Sequence, residues 1–156
     1  MSTGTANQGI DGFWGIVPAG GSGTRLWPVS RSSAPKFLQD MTGEGRSMLQ
    51  ATLDRLRPLT GDRITIVTGS AHSDKVREQV TGEALGGGVP GLGADGLVVE
   101  PQPRESMPAI GLAAAIIARH DPGAVIGSFA ADHLVGDEDT FRACVAEAVA
   151  VARTGK

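Results

Sequence analysis

The chain has 156 residues, a length that suits one domain, with 40% apolar and 20% charged residues and a net charge of −3. That balance excludes a disordered chain, and the acidic sign excludes a nucleic-acid or membrane surface held by bulk positive charge. Aromatic residues are only 4%, with no tyrosine, which argues against a stacking platform for single strands, and the single cysteine, Cys144, excludes an internal disulfide or a cysteine-based metal cluster.

Residues 1–12 lack a basic region followed by a long apolar run, so a disordered leader is expected there rather than a signal peptide, with one domain over 13–156. Phe13–Val17 is a short apolar run stopped by Pro18, the pattern of a buried strand. Ser47 can cap a helix that carries Met48, Leu49, Leu53 and Leu56 on one face. Arg63–Thr68 is β-branched and reads as a second strand. Ser73–Val80 reads as a polar helix, and the glycine-rich stretch from Glu83 to Gly96 as a loop. Leu97–Val99 is a third strand, closed by Glu100-Pro101. Met107–Arg119 is an Ala-rich helix with Pro108 in its first turn. Ala124–Phe129 is a fourth strand. Asp139 is placed to cap a last helix with Phe141, Val145, Ala148, Val149 and Ala152 on one face, and Cys144 beside them is expected in the core. No stretch approaches the roughly 20 apolar residues that span a bilayer, so a soluble, cytoplasmic chain is expected.

Strands that alternate with helices four times predict an α/β fold, a Rossmann-like, doubly wound, mostly parallel sheet covered on both faces. The pattern breaks off at Arg153–Lys156, where a helix should hand over to a further strand. The chain therefore reads as the first part of a longer sheet, with an exposed seam that favours association between copies.

The turn after the first strand is the most informative stretch. In open α/β sheets, ligands bind at the carboxyl ends of strands. There the sequence places Ala19, Gly20, Gly21, Ser22, Gly23 and Thr24, followed by Arg25 and, after Pro35, Lys36. Glycines let the backbone approach a ligand closely, and consecutive exposed N–H groups form an anion-binding concavity. Two cations beyond it point to a phosphate-handling site. The dinucleotide fingerprint fails at Leu26, the P-loop pattern fails as well, and a glycine-rich turn alone is equally compatible with an ordinary βα turn.

The whole string is more specific. Gly20-Gly21-Ser22-Gly23-Thr24-Arg25-Leu26-Trp27-Pro28, then Ser30-Arg31, then Pro35-Lys36-Phe37-Leu38, resembles the signature of sugar-nucleotide pyrophosphorylases, the nucleotidyltransferases. Glu100-Pro101-Gln102-Pro103-Arg104 with Pro108-Ala109-Ile110-Gly111-Leu112-Ala113-Ala114 resembles a segment of the mannose-1-phosphate guanylyltransferases, and Ala131-Asp132-His133 is similar to another. The matches run in order from about residue 15 to the end, over the first part only of the family's usual length. At 105–107 the chain has Glu-Ser-Met where many relatives show Asn or Asp, Thr, Ala, and Ala130 stands where proline is common.

The resemblance implies that a sugar 1-phosphate oxygen, here of mannose 1-phosphate, attacks the α-phosphorus of GTP and releases pyrophosphate. It implies that Ala19 to Thr24 cradle the triphosphate, that Arg25 holds the leaving phosphates with its planar fork, and that Lys36 acts as a point charge near the α-phosphate. It implies Asp132 as a ligand of Mg²⁺, an ion commonly held by one or two carboxylates plus substrate phosphates, with the second carboxylate outside this chain. Glu100 suits guanine, because a carboxylate accepts from N1–H and the 2-amino group together and repels the lone pairs of a pyrimidine edge; thymidine or uridine enzymes that resemble it carry Gln there. His133 has a structural role or faces the sugar side, His72 and His120 read as surface residues, and Trp14 and Trp27 as packing anchors. Two other readings stay open: a nucleotidyltransferase for another sugar, such as a glucose nucleotide, and a truncated, non-catalytic nucleotide-binding chain.

Overall fold

The computed structural model describes residues 9–21, 35–81, 96–102 and 104–155. Four strands form one sheet: β1 (Phe13–Pro18), β2 (Ile64–Gly69), β3 (Leu97–Glu100) and β4 (Val125–Ser128). Their order is β3-β2-β1-β4, and every neighbouring pair is parallel. The helices are α1 (Met48–Thr60), α2 (Ser73–Thr81), α3 (Ser106–His120) and α4 (Glu138–Ala152), with a 3-10 turn at Lys36–Leu38. The expected doubly wound, parallel α/β architecture is the one observed.

Local chemistry accounts for these elements. Ser47 caps α1 through a reciprocal box: its hydroxyl accepts from the Gln50 N–H at 3.2 Å, while Gln50 Oε1 accepts from the Ser47 N–H at 3.0 Å. The β-branched run Ile64-Thr65-Ile66-Val67 is buried on both faces, as a central parallel strand requires. Between sheet and helices α1 and α2 lies a cluster that includes Val17, Ile66, Leu49, Leu53, Leu56, Val76 and Val80. Each such side chain, fully buried, stabilises the fold by roughly 1.5–3 kcal/mol. On the opposite face α3 lays Ala109, Ala113 and Ile117, one turn apart each, onto Ile16 and Val67. Phe13 packs with Leu59 and with Val149 of α4. Ile10 joins that third cluster, and its N–H donates to the Leu59 carbonyl at 2.6 Å, so contacts with the body begin three residues ahead of β1.

Two details differ from the sequence expectations. Asp137, not Asp139, caps α4: its carboxylate accepts from the Thr140 N–H at 2.9 Å and from the Thr140 hydroxyl at 2.7 Å. Those bonds hold the Asp137 pKa below the usual carboxylate value, and Asp139 instead pairs with Arg142 at 2.7 Å. Cys144 is exposed rather than in the core. The inward face of α4 is set by Phe141, Val145 and Val149, spaced by four, and Cys144 falls one residue out of that phase. Among the described residues, no helix is long and apolar enough to cross a membrane.

The sheet order decides where a ligand can sit. The chain builds outward from β1 to β2 to β3, then returns to the other side of β1 for β4. The connections leaving β1 and β4 therefore diverge, and a crevice opens at the carboxyl ends of these two strands.

Candidate functional site

Both flanks of that crevice are fixed by hydrogen bonds to backbone carbonyls. At the end of β1 the Ala19 N–H donates to the Val67 carbonyl at 2.7 Å, and the Thr68 hydroxyl donates to the Ala19 carbonyl at 2.7 Å. Ala19 is fully buried, and the next two residues are free of neighbours: a Cβ added at Gly20 or Gly21 would meet nothing within 4 Å. Gly21 has φ +92°, a conformation that side-chain-bearing residues rarely adopt. The turn thus leaves a rigid anchor and presents open backbone at the strand edge. Ser22, Gly23, Thr24 and Arg25, expected to continue the cradle, lie outside the described residues, as does Trp27.

Across the crevice the structure brings Lys36 and Asp132 together, 96 residues apart in sequence. Lys36 Nζ donates to the Asp132 backbone carbonyl at 3.0 Å and lies 3.6 Å from Asp132 Oδ2. The side chains are 27% and 45% exposed, so solvent screens the ion pair and its contribution to stability is small. Its significance is positional: an ammonium and a carboxylate share one spot at the ligand edge.

Each partner is held from behind. Phe37, next to Lys36, is buried in the main cluster. Gln79 of α2 donates from Nε2 to the Leu38 carbonyl at 3.0 Å, and its Oε1 accepts from the Ser47 hydroxyl at 2.7 Å. Gln50 Nε2 donates to the Gln79 carbonyl at 3.2 Å, which closes a polar network around the 3-10 turn. His72 meets the Phe37 ring edge-on with centroids 6.0 Å apart; partial burial, then the nearby Lys75 charge, push its pKa down. On the other side Ala131 is buried in the same cluster as Phe37 and Ala19, which leaves Asp132 at the surface. His133 is exposed, and its carbonyl accepts from Arg55 Nη2 at 3.3 Å, a structural role for its backbone.

Glu100 sits apart from this pair, at the end of β3. It is level with Gly69 of β2, two residues beyond the β1–β2 pairing of Pro18 with Val67. Two strand spacings, roughly 10 Å, separate the backbones of β3 and β1. Glu100 is only 9% exposed, yet among the described residues its carboxylate has no hydrogen-bond or ion-pair partner. It lines an open depression of about 460 Å³ together with Pro101, Gln102, Arg104, Pro108 and Leu112. Among the described residues no buried side-chain oxygen lacks a partner, so the Glu100 carboxylate reaches the open depression, where it can accept from a ligand with N–H groups to offer.

Sequence reading did not find Gln79, Gln50 or Arg55. Arg55 carried a usable signal: it falls on the buried face of α1 with Thr52, Leu56 and Leu59, a place where an unexplained cation is uncommon. Among the described residues no group of three or more His, Cys, Asp or Glu could cage a metal ion. Asp132 alone fits an ion held mainly by phosphate oxygens, which needs one or two protein carboxylates.

The comparisons agree with this geometry. A family model described as Nucleotidyl transferase matches residues 14–155. The xanthan biosynthesis protein XanB of Xanthomonas campestris pv. campestris is 37% identical over 141 residues, which cover 90% of this chain and 28% of that protein. The mannose-1-phosphate guanylyltransferase of Escherichia coli K12 is 37% identical over 144 residues, again 90% of this chain and 28% of the relative. The crystal structure of mannose-1-phosphate geranyltransferase from Thermus thermophilus superposes with a TM-score of 0.69 at 31% identity, over 86% of this chain and 36% of the other. The chain thus spans under a third of the length of these two sequence relatives.

Proposed function

Because this chain belongs to the nucleotidyl transferase family, we propose that it carries the GTP-binding part of a mannose-1-phosphate guanylyltransferase. The observation that bears most weight is the juxtaposition of Lys36 and Asp132 beside the open turn at Gly20-Gly21. Identity to guanylyltransferase relatives supports the choice of reaction.

In this reading residues 13–156 form the nucleotide-binding part, in the cytoplasm where GTP is available. The turn from Ala19 to Thr24 receives the triphosphate on its backbone N–H groups. Arg25 grips the β- and γ-phosphates. Lys36 neutralises charge that builds at the α-phosphate, and Glu100 accepts from the guanine edge. Asp132 would hold Mg²⁺, which when bound would supply neutralisation of phosphate charge. A phosphate oxygen of mannose 1-phosphate forms a bond to the α-phosphorus as the bond to the bridging oxygen breaks. Pyrophosphate takes the electron pair and leaves, and GDP-mannose remains. The protein's own share is placement and charge, with no covalent step on a side chain.

Isothermal titration of Lys36→Ala with Mg²⁺·GTP tests the assignment. Removing a charge-assisted contact worth about 1.5–3 kcal/mol should weaken binding by roughly 10- to 150-fold while the fold persists. A folded Lys36→Ala chain with wild-type affinity would refute the phosphate role.

A further inference from the structure

Arg55 is a cation in the wrong place for a purely structural helix residue. It is only 4% exposed, on the side of α1 that meets Phe141 of α4 and the loop after β4. Among the described residues no carboxylate lies within ion-pairing distance of it. Its Nη2 donates to Thr52 Oγ1 at 3.0 Å and to the His133 carbonyl at 3.3 Å, and its guanidinium lies 5.5 Å from the centroid of the Phe141 ring. Burial pulls its pKa down, the Glu138 charge opposes that, and Arg142 adds to the lowering. A buried guanidinium held by two neutral oxygens and a ring face is expensive compared with a leucine of similar volume.

Its contacts show what the cost secures. The loop after β4 is gripped at consecutive carbonyls by two cations from different elements. Lys36 holds the Asp132 carbonyl, and Arg55 holds the His133 carbonyl. Ala131 is sunk in the core just before them. With the chain pinned on both sides, the backbone from which the Asp132 carboxylate projects is held in place.

We propose that Arg55 is a positioning residue for Asp132: it clamps the His133 carbonyl and so presents the Asp132 carboxylate to the metal-phosphate complex. This rests on the reading of Asp132 as a metal ligand. Partners one shell behind a ligand typically tune metal affinity by 10- to 100-fold, so the effect should appear in the metal dependence of binding before it appears elsewhere.

The test is a titration of MgCl₂ against the 156-residue chain at fixed GTP, read by thermal shift, with circular dichroism to check folding. Arg55→Met and Arg55→Gln both remove the bond to His133, and Gln keeps a polar partner for Thr52 should Met not fold. The half-saturating Mg²⁺ concentration should rise about tenfold in the folded variant, with metal-free GTP affinity within about twofold of wild type. Arg55→Lys, which can still donate to the His133 carbonyl, should recover most of the loss. A folded Met or Gln variant with the wild-type Mg²⁺ midpoint overturns the inference. Asp132→Asn is run alongside. A displaced midpoint there, with Arg55 variants unmoved, refutes the positioning role alone; an undisplaced midpoint removes the metal assignment and the inference with it.

Discussion

In the proposed function, Glu100 is the residue on which nucleotide choice turns. It ends an edge strand, is nearly buried, and faces an open depression without a partner among the described residues. Glu100→Gln keeps the volume but replaces one acceptor with a donor. The variant should lose about tenfold in GTP affinity, the worth of one charge-assisted bond to guanine, while ATP and UTP are little affected. Competition binding with the four nucleotides checks this, and an identical ranking in both proteins would remove Glu100 as the base reader. At this scale the sequence singles out candidate side chains but does not show how they are held. Lys36 and Asp132 could be named from their motifs. That Lys36 donates to the Asp132 backbone could not, because a contact across 96 positions depends on the sheet order. Gln79 and Arg55 escaped notice because polar side chains in helices resemble solvated ones until their faces are known.

Elements were legible wherever local chemistry is strong. The capping box at Ser47, the β-branched run of β2 and the spacing of Ala109, Ala113 and Ile117 all identify themselves. Ends were less legible. Asp137 and Asp139 are both acceptable caps in sequence, and only the bond to Thr140 decides between them. The start of α3 is the most unusual junction. Glu105, in the N-cap position, has φ 71° and ψ 176° and makes no side-chain cap. That region of backbone space is nearly exclusive to glycine, and strain there costs on the order of 1–3 kcal/mol. Glu105 follows Arg104, which lines the depression together with Glu100. Glu105→Gly should therefore stabilise the chain by about 1 kcal/mol, after allowance for the greater freedom of glycine when unfolded. Urea denaturation measures it, and a stability equal to or below wild type would contradict the strained geometry.

For the whole molecule, the alternation of strands and helices predicted a parallel sheet, and the order β3-β2-β1-β4 places every described candidate residue at its carboxyl edge. The order itself was not readable, since the same alternation suits several doubly wound sheets. An exposed seam was expected at the last strand and helix, and Ile126 of β4 is 39% exposed; the exposure of Leu112 and Met107 of α3, 39% and 76%, was not foreseen. Such apolar surface favours association between copies, so binding is best measured in dilute protein. The central claim, a guanine-selective triphosphate site in this chain, is tested most directly by its thermal shift with Mg²⁺ and each of GTP, ATP, UTP and dTTP. At about 100 times Kd a ligand of the native state adds roughly 2.7 kcal/mol, or some 5–10 °C for a chain of this size. A shift of that order with GTP and little with the other three is the predicted result; equal shifts with all four, or none with GTP, would contradict it.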